Sequence, residues 1–256
     1  MNADLAFAEH LADLAAAVTM PAFGSRHQPD RKADDTVVTA IDRAAEHAIR
    51  TAVREQFPRD GVRGEEEGLD PGTSGRVWVV DPIDGTRMYV EGIPTWTTLI
   101  GLRDGTGTLV GVADAPALGE RATAVRGEGA WQDGRRLQVS AIDRLDQAFV
   151  LHASIEEFAA ADQLDGLVRL ATSARGSRGI AEAWAHLLIA RGAAEVLLEV
   201  VPGYEWDWCA TSLILSEAGG TISAVEGGAP YDGCQMLVTN GRLDDSVREA
   251  LHGRTR

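Results

Sequence analysis

The sequence contains few cysteines and no long apolar run. Its 256 residues include 2 cysteines, Cys209 and Cys234. These are too few for a disulfide framework and lack the pairing of a zinc site, so a reduced compartment is expected. No apolar run approaches the roughly 18 residues that a membrane-spanning helix needs, and the acidic N-terminal segment is unlike a secretory signal. We therefore expect a soluble, cytoplasmic protein without a membrane partner.

Positive charge is also scarce. Lys and Arg number 24 against 39 Asp and Glu, which gives a formal net charge of −15. Because nucleic-acid binding needs concentrated basic side chains, no nucleic-acid partner is expected. Hydrophobic residues at 45% and charged residues at 25% are ordinary for a folded chain. The excess acid has two interpretations, a solvated acidic surface or carboxylates neutralised by bound cations.

Internal repeats, low-complexity segments and long linkers are absent as well, which favours a single catalytic unit over residues 1–256. Short alternating runs over residues 96–139 predict an antiparallel meander. Strand-like and helix-like segments alternate after Phe149, so we expect a mixed α/β or α+β layered fold. Its approximate lobes are predicted at residues 1–142 and 143–256.

Chain breakers and hydrophobic patterns predict several element boundaries. Pro82 cannot donate to a ladder, so the apolar strand that begins at Val77 is expected to end at Asp81. Other segments are assigned from their spacing of apolar and turn-forming residues. We expect a loop over residues 64–75, one helix over residues 154–170 and a strand over residues 171–175.

Acidic residues stand where predicted elements begin or end. Asp42 closes the capping-box pattern Thr39-Ala-Ile-Asp42 at the start of a helix. Each acid alone fits a cap or a turn. Together they fit Mg²⁺, which takes oxygen ligands from separate segments and relieves repulsion between like charges. The acids are Asp42, Glu65, Asp81, Asp84 and Asp207.

Gly85 and Thr86 follow this acidic motif and add a predicted anion site. After a tight turn, successive backbone N–H groups can point at an anion, and glycine permits a close approach. Thr86 adds a hydroxyl that can hydrogen-bond to water. Carboxylates for Mg²⁺ beside donors for phosphate predict metal-assisted phosphoryl transfer to water.

These motifs resemble those of the inositol monophosphatase family of Mg²⁺-dependent phosphatases. The resemblance covers nearly the whole chain and implies the layered α/β/α/β/α sandwich of the inositol monophosphatase and fructose-1,6-bisphosphatase type. It also implies a homodimer and direct attack of water on phosphorus. One departure is Met88-Tyr89, where the family commonly has Asn-Phe. The motifs are GEE at 64–66, WVVDPIDGT at 78–86 and WDWCATSLILSEAGG at 206–220.

The resemblance further implies roles for individual residues. Asp42 and Thr86 would orient and deprotonate the attacking water, with assistance from Glu65. The N–H groups of Gly85 and Thr86 would bind the phosphate. Two or three Mg²⁺ ions would be held by Glu65, Asp81, the carbonyl of Ile83, Asp84 and Asp207.

The identity of the leaving alcohol is more open. Carboxylates around it would favour a cationic alcohol, so L-histidinol phosphate is the leading expectation. If Glu182 and Glu205 instead cover a helix surface, an inositol phosphate or another sugar or cyclitol phosphate fits equally well. A catalytically silent binding or regulatory protein on the same fold is a third possibility. The resemblance places the predicted alcohol contacts at Arg178, Glu182, Glu199 and Glu205.

Overall fold

The structure is a computed structural model that describes residues 2–24, 30–31, 37–38 and 40–253. The predicted capping-box residue Thr39 lies outside these residues. None of the helices in the described ranges is both long and apolar enough to cross a membrane. The helices are α1 (Ala3–Thr19), α2 (Ala40–Gln56), α3 (Thr86–Glu91), α4 (Ile155–Ala160), α5 (Leu164–Ser173), α6 (Glu182–Ala190), α7 (Glu205–Ala218) and α8 (Asp244–His252).

The described strands form sheets of two, eight and five strands. Strands β1 (Asp30–Arg31) and β2 (Val37–Val38) form the smallest sheet. The largest contains β3 (Gly61–Gly64), β4 (Gly68–Asp70), β5 (Val77–Asp84), β6 (Thr97–Asp104), β7 (Gly107–Ala115), β8 (Glu120–Val125), β9 (Gly129–Gln132) and β10 (Arg135–Arg136). The third contains β11 (Phe149–His152), β12 (Gly176–Gly179), β13 (Val196–Gly203), β14 (Thr221–Ala224) and β15 (Cys234–Thr239).

The eight-stranded sheet has the order β10-β9-β8-β7-β6-β5-β3-β4. Strands β5 to β10 are antiparallel neighbours, which confirms the predicted meander, and β3 runs parallel to β5. Helices α1 and α2 cover the outer face. There Leu11 and Ile49 pack in one buried cluster with Trp78, Val80 and Ile100, so the apolar faces of these helices find their partner in this sheet.

The five-stranded sheet has the order β12-β11-β13-β15-β14. Strand β11 is parallel to β12 and β13, whereas β15 is antiparallel to β13 and β14. Leu167 of α5 and Val247 of α8 pack against Val150 and Leu198 of this sheet. This outer helical layer mirrors the one formed by α1 and α2.

Helices α6 and α7 lie between the two sheets. Leu187 and Ile214 share a buried cluster with Leu99 of the larger sheet and Leu197 of the smaller one. The layers therefore run α/β/α/β/α, which confirms the predicted fold. Because the strands of the two sheets are contiguous in sequence, up to Arg136 and from Phe149, the predicted lobes are compatible with this order and stay a prediction.

Helix α7 approaches the larger sheet closely because two glycines face it. A Cβ atom at Gly101 would lie 2.7 Å from Sγ of Cys209, and one at Gly111 would lie 2.5 Å from the carbonyl oxygen of Ala210. Any larger residue at these positions would push the helix outward. The two glycines thus set the distance between the sheet and the start of α7, where Asp207 lies.

Strand β5 corrects the predicted boundary at Asp81, since it continues through Pro82 to Asp84. Asp81 pairs with Leu99, whereas Asp84 pairs with Thr97, so two residues of β5 stand opposite one residue of β6 between these pairs. This is a β-bulge, where the ladder is interrupted and a proline without an N–H is tolerated.

Three other predicted boundaries are wrong. Residues 154–170 form two helices, α4 and α5, separated where Asp162 adopts a left-handed conformation with φ of 57°; aspartate tolerates this conformation better than most residues. Helix α5 continues to Ser173, so the strand expected over residues 171–175 is displaced to β12. The loop expected over residues 64–75 contains the short strand β4.

Candidate active site

Three carboxylates converge where the bulge of β5 faces the start of α7. One oxygen atom from each of Asp81, Asp84 and Asp207 lies within 4.8 Å of the others. Residues three apart on a regular strand point to opposite faces, but the extra residue of the bulge brings Asp81 and Asp84 to the same side. Pro82, between the two acids, is therefore part of the β-bulge that brings them to the same side of the strand.

Burial and mutual repulsion act together on these groups. Burial raises the pKa of Asp81 well above its usual value, and the charges of Glu65, Asp84, Asp207 and Asp42 raise it further. Burial also raises the pKa of Asp207, followed by the charge of Asp84. The pKa of Asp84 rises to about 6, chiefly because of burial. A purely oxygen-bearing, electrostatically unfavourable cluster fits a hard divalent cation, which would remove the repulsion.

Donors from the surrounding elements fix the orientation of two of these carboxylates. Oδ2 of Asp84 accepts hydrogen bonds from the N–H of Ala183 at 2.7 Å and from the hydroxyl of Thr97 at 3.1 Å. Oδ2 of Asp207 accepts the N–H of Tyr204 at 2.6 Å, so Asp207 also caps its own helix. The carboxylates are therefore oriented by the protein itself, as metal ligands usually are.

Thr86 connects this cluster to Asp42. Its hydroxyl lies 3.3 Å from Oδ1 of Asp42 and 3.1 Å from the carbonyl oxygen of Ile83. Asp42 is 1% exposed in the first turn of α2. A hydroxyl between two acceptors can donate to one of them and accept from a water molecule. The arrangement suits the predicted orientation of an attacking water, and the catalytic roles of Asp42 and Thr86 stay predictions.

Glu65 lies in a turn that a buried ion pair supports. Glu46 and Arg50 are 0% and 2% exposed, and Nε of Arg50 lies 2.8 Å from Oε1 of Glu46. The carboxylate of Glu46 accepts the N–H groups of Glu66 at 2.7 Å and Glu67 at 3.0 Å. The pair therefore fixes the backbone immediately after Glu65, whose charge reaches Asp81 as described above.

Sequence reasoning missed this ion pair. The spacing of Glu46 and Arg50, four residues apart on α2, is visible in the sequence, but such pairs usually lie on exposed helix faces. A better signal is Gly64, because a Cβ atom there would lie 2.2 Å from Oε1 of Glu46. Only glycine leaves room for the buried carboxylate at this point of the turn.

Gly85 connects the acidic motif to α3. Its φ of 80° lies in the left-handed region, which explains why glycine stands at this position. A Cβ atom would lie 3.5 Å from Cγ of Glu182 and 3.6 Å from Cα of Trp96. The predicted phosphate-binding turn thus faces Glu182 directly, while phosphate binding by Gly85 and Thr86 stays a prediction.

Asp81, Asp84 and Asp207 are called the metal-type cluster below. Glu182 and Glu199 lie beside this cluster, close to Asp84. Oε1 of Glu199 accepts the N–H of Glu182 at 3.0 Å. Burial raises the pKa of Glu182 to about 8, and the charges of Asp84 and Glu199 contribute. The structure therefore brings two of the four predicted alcohol contacts to the site.

The other two predicted alcohol contacts bind protein groups. The carboxylate of Glu205 forms ion pairs with Arg63 at 2.7 Å and with Arg103. Arg178 is exposed and donates to the carbonyl of Ser177 at 2.7 Å. The contacts that the structure gives Glu205 are structural, and substrate binding by Glu205 and Arg178 stays a prediction.

The departure at Met88-Tyr89 has a packing explanation. Tyr89 is buried, and its hydroxyl donates to the carbonyl of Thr19 at 2.8 Å. Its ring meets Trp96 edge-on with centroids 5.0 Å apart, and Met88 packs against the same cluster. Tyr89 thereby links α3 to the end of α1.

Comparison with known proteins agrees with this geometry. The model of the Inositol monophosphatase family matches residues 2–255. The chain is 37% identical to the histidinol-phosphatase of Streptomyces coelicolor over 98% of this chain and 97% of the relative. It is 38% identical to the histidinol-phosphatase of Chlorobaculum parvum, again over 98% of this chain and 97% of the relative. The IMPase of Thermotoga maritima has a TM-score of 0.87 at 27% identity, covering 98% of this chain and 97% of that chain. The chain therefore belongs to the inositol monophosphatase family of metal-dependent phosphatases.

Proposed function

We propose that this phosphatase is Mg²⁺-dependent and hydrolyses L-histidinol phosphate to L-histidinol and phosphate. The observation that carries the substrate assignment is the position of two acids, the half-buried Glu182 and the buried Glu199, beside Asp84. The two histidinol-phosphatase relatives, each about as long as this chain, support the same substrate.

The metal-type cluster supplies the first part of the proposed mechanism. Two or three Mg²⁺ ions, when bound, would act as Lewis acids toward the phosphate and lower the pKa of water. The chain offers only oxygen donors for them, which is the donor chemistry that Mg²⁺ prefers. These donors are Glu65, Asp81, the carbonyl of Ile83, Asp84 and Asp207.

The chain's own groups would then orient the reacting molecules. Thr86 would hold the attacking water through its hydroxyl, and Oδ1 of Asp42, 3.3 Å from that hydroxyl, would receive the proton. The N–H groups of Gly85 and Thr86 would hold the phosphate oxygens. Asp42 is buried, and its fixed position beside Thr86 favours a defined line of attack on phosphorus.

The part of the site that contains Glu182 and Glu199, called the alcohol side below, favours a cationic leaving group. Burial raises the pKa of Glu182 to about 8, so an unpaired negative charge there is unfavourable. An ammonium or imidazolium group would compensate the charges of Glu182 and Glu199 and make their ionised forms more favourable. A neutral polyol such as inositol can donate hydrogen bonds from its hydroxyl groups to these carboxylates, but it supplies no such compensation.

A kinetic comparison tests the substrate. We expect kcat/KM for L-histidinol phosphate to exceed that for myo-inositol 1-phosphate by at least about tenfold, since one compensated charge is worth more than 1.4 kcal/mol. Glu182→Gln should reduce this ratio. Glu156→Gln is a suitable control, because the Glu156 side chain is 73% exposed on nearby α4. A higher kcat/KM for the inositol phosphate would replace the proposed substrate with a cyclitol phosphate.

The remaining parts of the proposal concern the oligomeric state, the location, the partners and whether the protein is an enzyme. We keep a homodimer, a cytoplasmic location and the absence of nucleic-acid and membrane partners as predictions from the sequence. A silent binding protein is disfavoured, because each acid expected in the catalytic cluster is present. Release of inorganic phosphate from L-histidinol phosphate with and without Mg²⁺ tests the catalytic role directly.

A further inference from the structure

His186 occupies a buried position between three elements of the site. It is 1% exposed and lies four residues after Glu182, on the same face of α6. Its Nε2 lies 3.1 Å from Oε2 of Glu199, and its Nδ1 lies 2.9 Å from Oγ1 of Thr211. The imidazole ring therefore links β13 to α7.

The hydrogen bonds define the orientation of the ring. An ionised carboxylate only accepts, so the hydrogen on Nε2 faces Glu199. A neutral ring then accepts at Nδ1 from the hydroxyl of Thr211. The alternative acceptors of that hydroxyl, the carbonyls of Asp207 and Trp208, lie 3.4 Å away, farther than the ring. His186 thus acts as a rigid link from helix α7 to the Glu199 carboxylate.

Glu199 is the last residue of β13 that pairs in regular register with β15, opposite Met236. The register between β13 and β15 shifts between Glu199 and Gly203. Both oxygens of the carboxylate have a protein donor: Oε1 has the N–H of Glu182, and Oε2 has His186. The charge of Glu199 contributes to the raised pKa values of Asp84 and Asp207, so the position of this carboxylate affects the metal-type cluster as well.

We propose that His186 is a positioning residue that fixes the Glu199 carboxylate on the alcohol side and thereby contributes to selection of the leaving alcohol. The class of alcohol that benefits carries a cation or a hydroxyl donor next to the ester. The inference rests on the proposed function only in placing Glu199 on the alcohol side. His186 touches neither the phosphate-binding turn nor the carboxylates of the metal-type cluster among the contacts described for it.

Two variants of similar size separate positioning from packing. In His186→Gln the amide nitrogen can reach the place of Nε2 and donate to Glu199. In His186→Asn the shorter amide can reach only the place of Nδ1 and Thr211. We expect His186→Asn to raise KM for L-histidinol phosphate about tenfold with kcat within about twofold, the size of one lost charge-assisted hydrogen bond. His186→Gln should return KM to within about threefold of the parent.

A second substrate and the melting temperature complete the test. KM for p-nitrophenyl phosphate, whose leaving group carries no cation, should change less than about twofold in both variants, and both should unfold within a few degrees of each other. An equal loss on both substrates, or equal KM values for the Asn and Gln variants, would overturn the positioning role.

Glu199→Gln distinguishes failure of this inference from failure of the proposed function. If Glu199→Gln raises KM for L-histidinol phosphate more than for p-nitrophenyl phosphate while the His186 variants do not discriminate, the role of His186 is refuted and the alcohol side stands. If Glu199→Gln also fails to discriminate between the substrates, Glu199 does not lie against the alcohol, and the role of Glu199 in the proposed function is refuted together with that of His186; the kcat/KM comparison above tests the substrate itself.

Discussion

The backbone N–H of Ala183 donates to Oδ2 of Asp84 at 2.7 Å, although the two residues are 99 positions apart in the chain. The preceding N–H, that of Glu182, donates to Oε1 of Glu199 at 3.0 Å. Glu182 has a φ of 58°, in the left-handed region, and Ala183 is helical. Successive residues of this kind point their N–H groups into one concavity that binds anions. A single backbone turn therefore joins the metal-type cluster to the alcohol side.

The left-handed backbone of Glu182 predicts a difference between two truncations. Glu182→Gly and Glu182→Ala both remove the carboxylate, but alanine retains the strain at a φ of 58°. We expect the glycine variant to have a free energy of unfolding about 1 kcal/mol higher than the alanine variant. Urea denaturation of the two proteins measures this difference. Equal stabilities would mean that the left-handed conformation is not retained in the variants.

The raised pKa values predict how stability depends on pH and metal. An acid with a raised folded pKa, such as Asp84 at about 6 against 3.8, binds its proton more tightly in the folded state. The bound proton therefore stabilises the folded state at low pH. This stabilisation, about 3 kcal/mol for Asp84, is lost as pH rises from about 4 through the folded pKa. Mg²⁺ should offset this loss, so it should raise Tm more at pH 8 than at pH 5.

Calorimetry in EDTA and in Mg²⁺ at the two pH values checks this dependence. Asp84→Asn should reduce the difference, and it should also abolish turnover while the protein stays folded. Asp146→Asn is the control, because Asp146 is exposed and pairs with Arg144 on the surface. A metal effect on Tm that is equal at pH 5 and pH 8 would contradict the account of buried, mutually repelling carboxylates.

Gly85 and Gly75 provide a matched pair of glycine substitutions. Their φ values, 80° and 82°, are nearly equal, but a Cβ atom at Gly75 would meet nothing within 4 Å. Gly85→Ala and Gly75→Ala should therefore carry a similar backbone strain of about 1 kcal/mol. Only Gly85→Ala should also lower kcat/KM, by at least about tenfold, because it alters the turn that faces Glu182. If both substitutions lower kcat/KM equally, Gly85 has no specific role in phosphate binding.

The Glu46–Arg50 pair predicts an effect on metal activation from outside the cluster. Glu46→Gln should destabilise the fold by about 3 kcal/mol, since it removes the nearer carboxylate from the buried Arg50 charge and leaves only Glu67, at 3.6 Å. It should also raise the Mg²⁺ concentration for half-maximal activity, because the turn behind Glu65 loosens. The measurement is a Mg²⁺ titration of phosphate release at a temperature where the variant is folded.

Glu217→Gln is the control for that experiment. Glu217 holds a turn in the same way, accepting the N–H groups of Gly127 at 2.6 Å and Gly129 at 2.8 Å. That turn belongs to the far end of the larger sheet, so its loss should leave the Mg²⁺ requirement unchanged. A similar shift in both variants would indicate a general loss of stability rather than a role in positioning Glu65.

The layered fold and the acidic cluster follow from local patterns in the sequence. Apolar strands, turn residues and the acids at element ends are short-range signals, and they predicted the meander and the segments that supply Asp81, Asp84 and Asp207. The predicted strand end at Asp81 is wrong because proline is tolerated within a strand at a bulge, and the bulge of β5 was not predicted. The sequence gives no direct sign of which strand residue is unpaired.

The contacts that long-range packing decides were not predictable. The sequence predicts Glu205 as an acid near the alcohol. Its ion-pair partners, Arg63 and Arg103, lie on β3 and β6, more than 100 residues earlier in the chain. His186 reads as an ordinary helix residue until α7 and β13 place Thr211 and Glu199 against it. Side chains whose partners come from distant segments acquire their role only in the folded protein.

Diffraction from crystals grown with Mn²⁺ in place of Mg²⁺ would show whether these acids bind a divalent cation together. We expect anomalous density bound by oxygens of Asp81, Asp84 and Asp207, with Glu65 at the same centre, in crystals of an enzyme that is active with the same ion. Active enzyme whose anomalous density lies elsewhere, with these acids turned away from one another, would contradict this expectation.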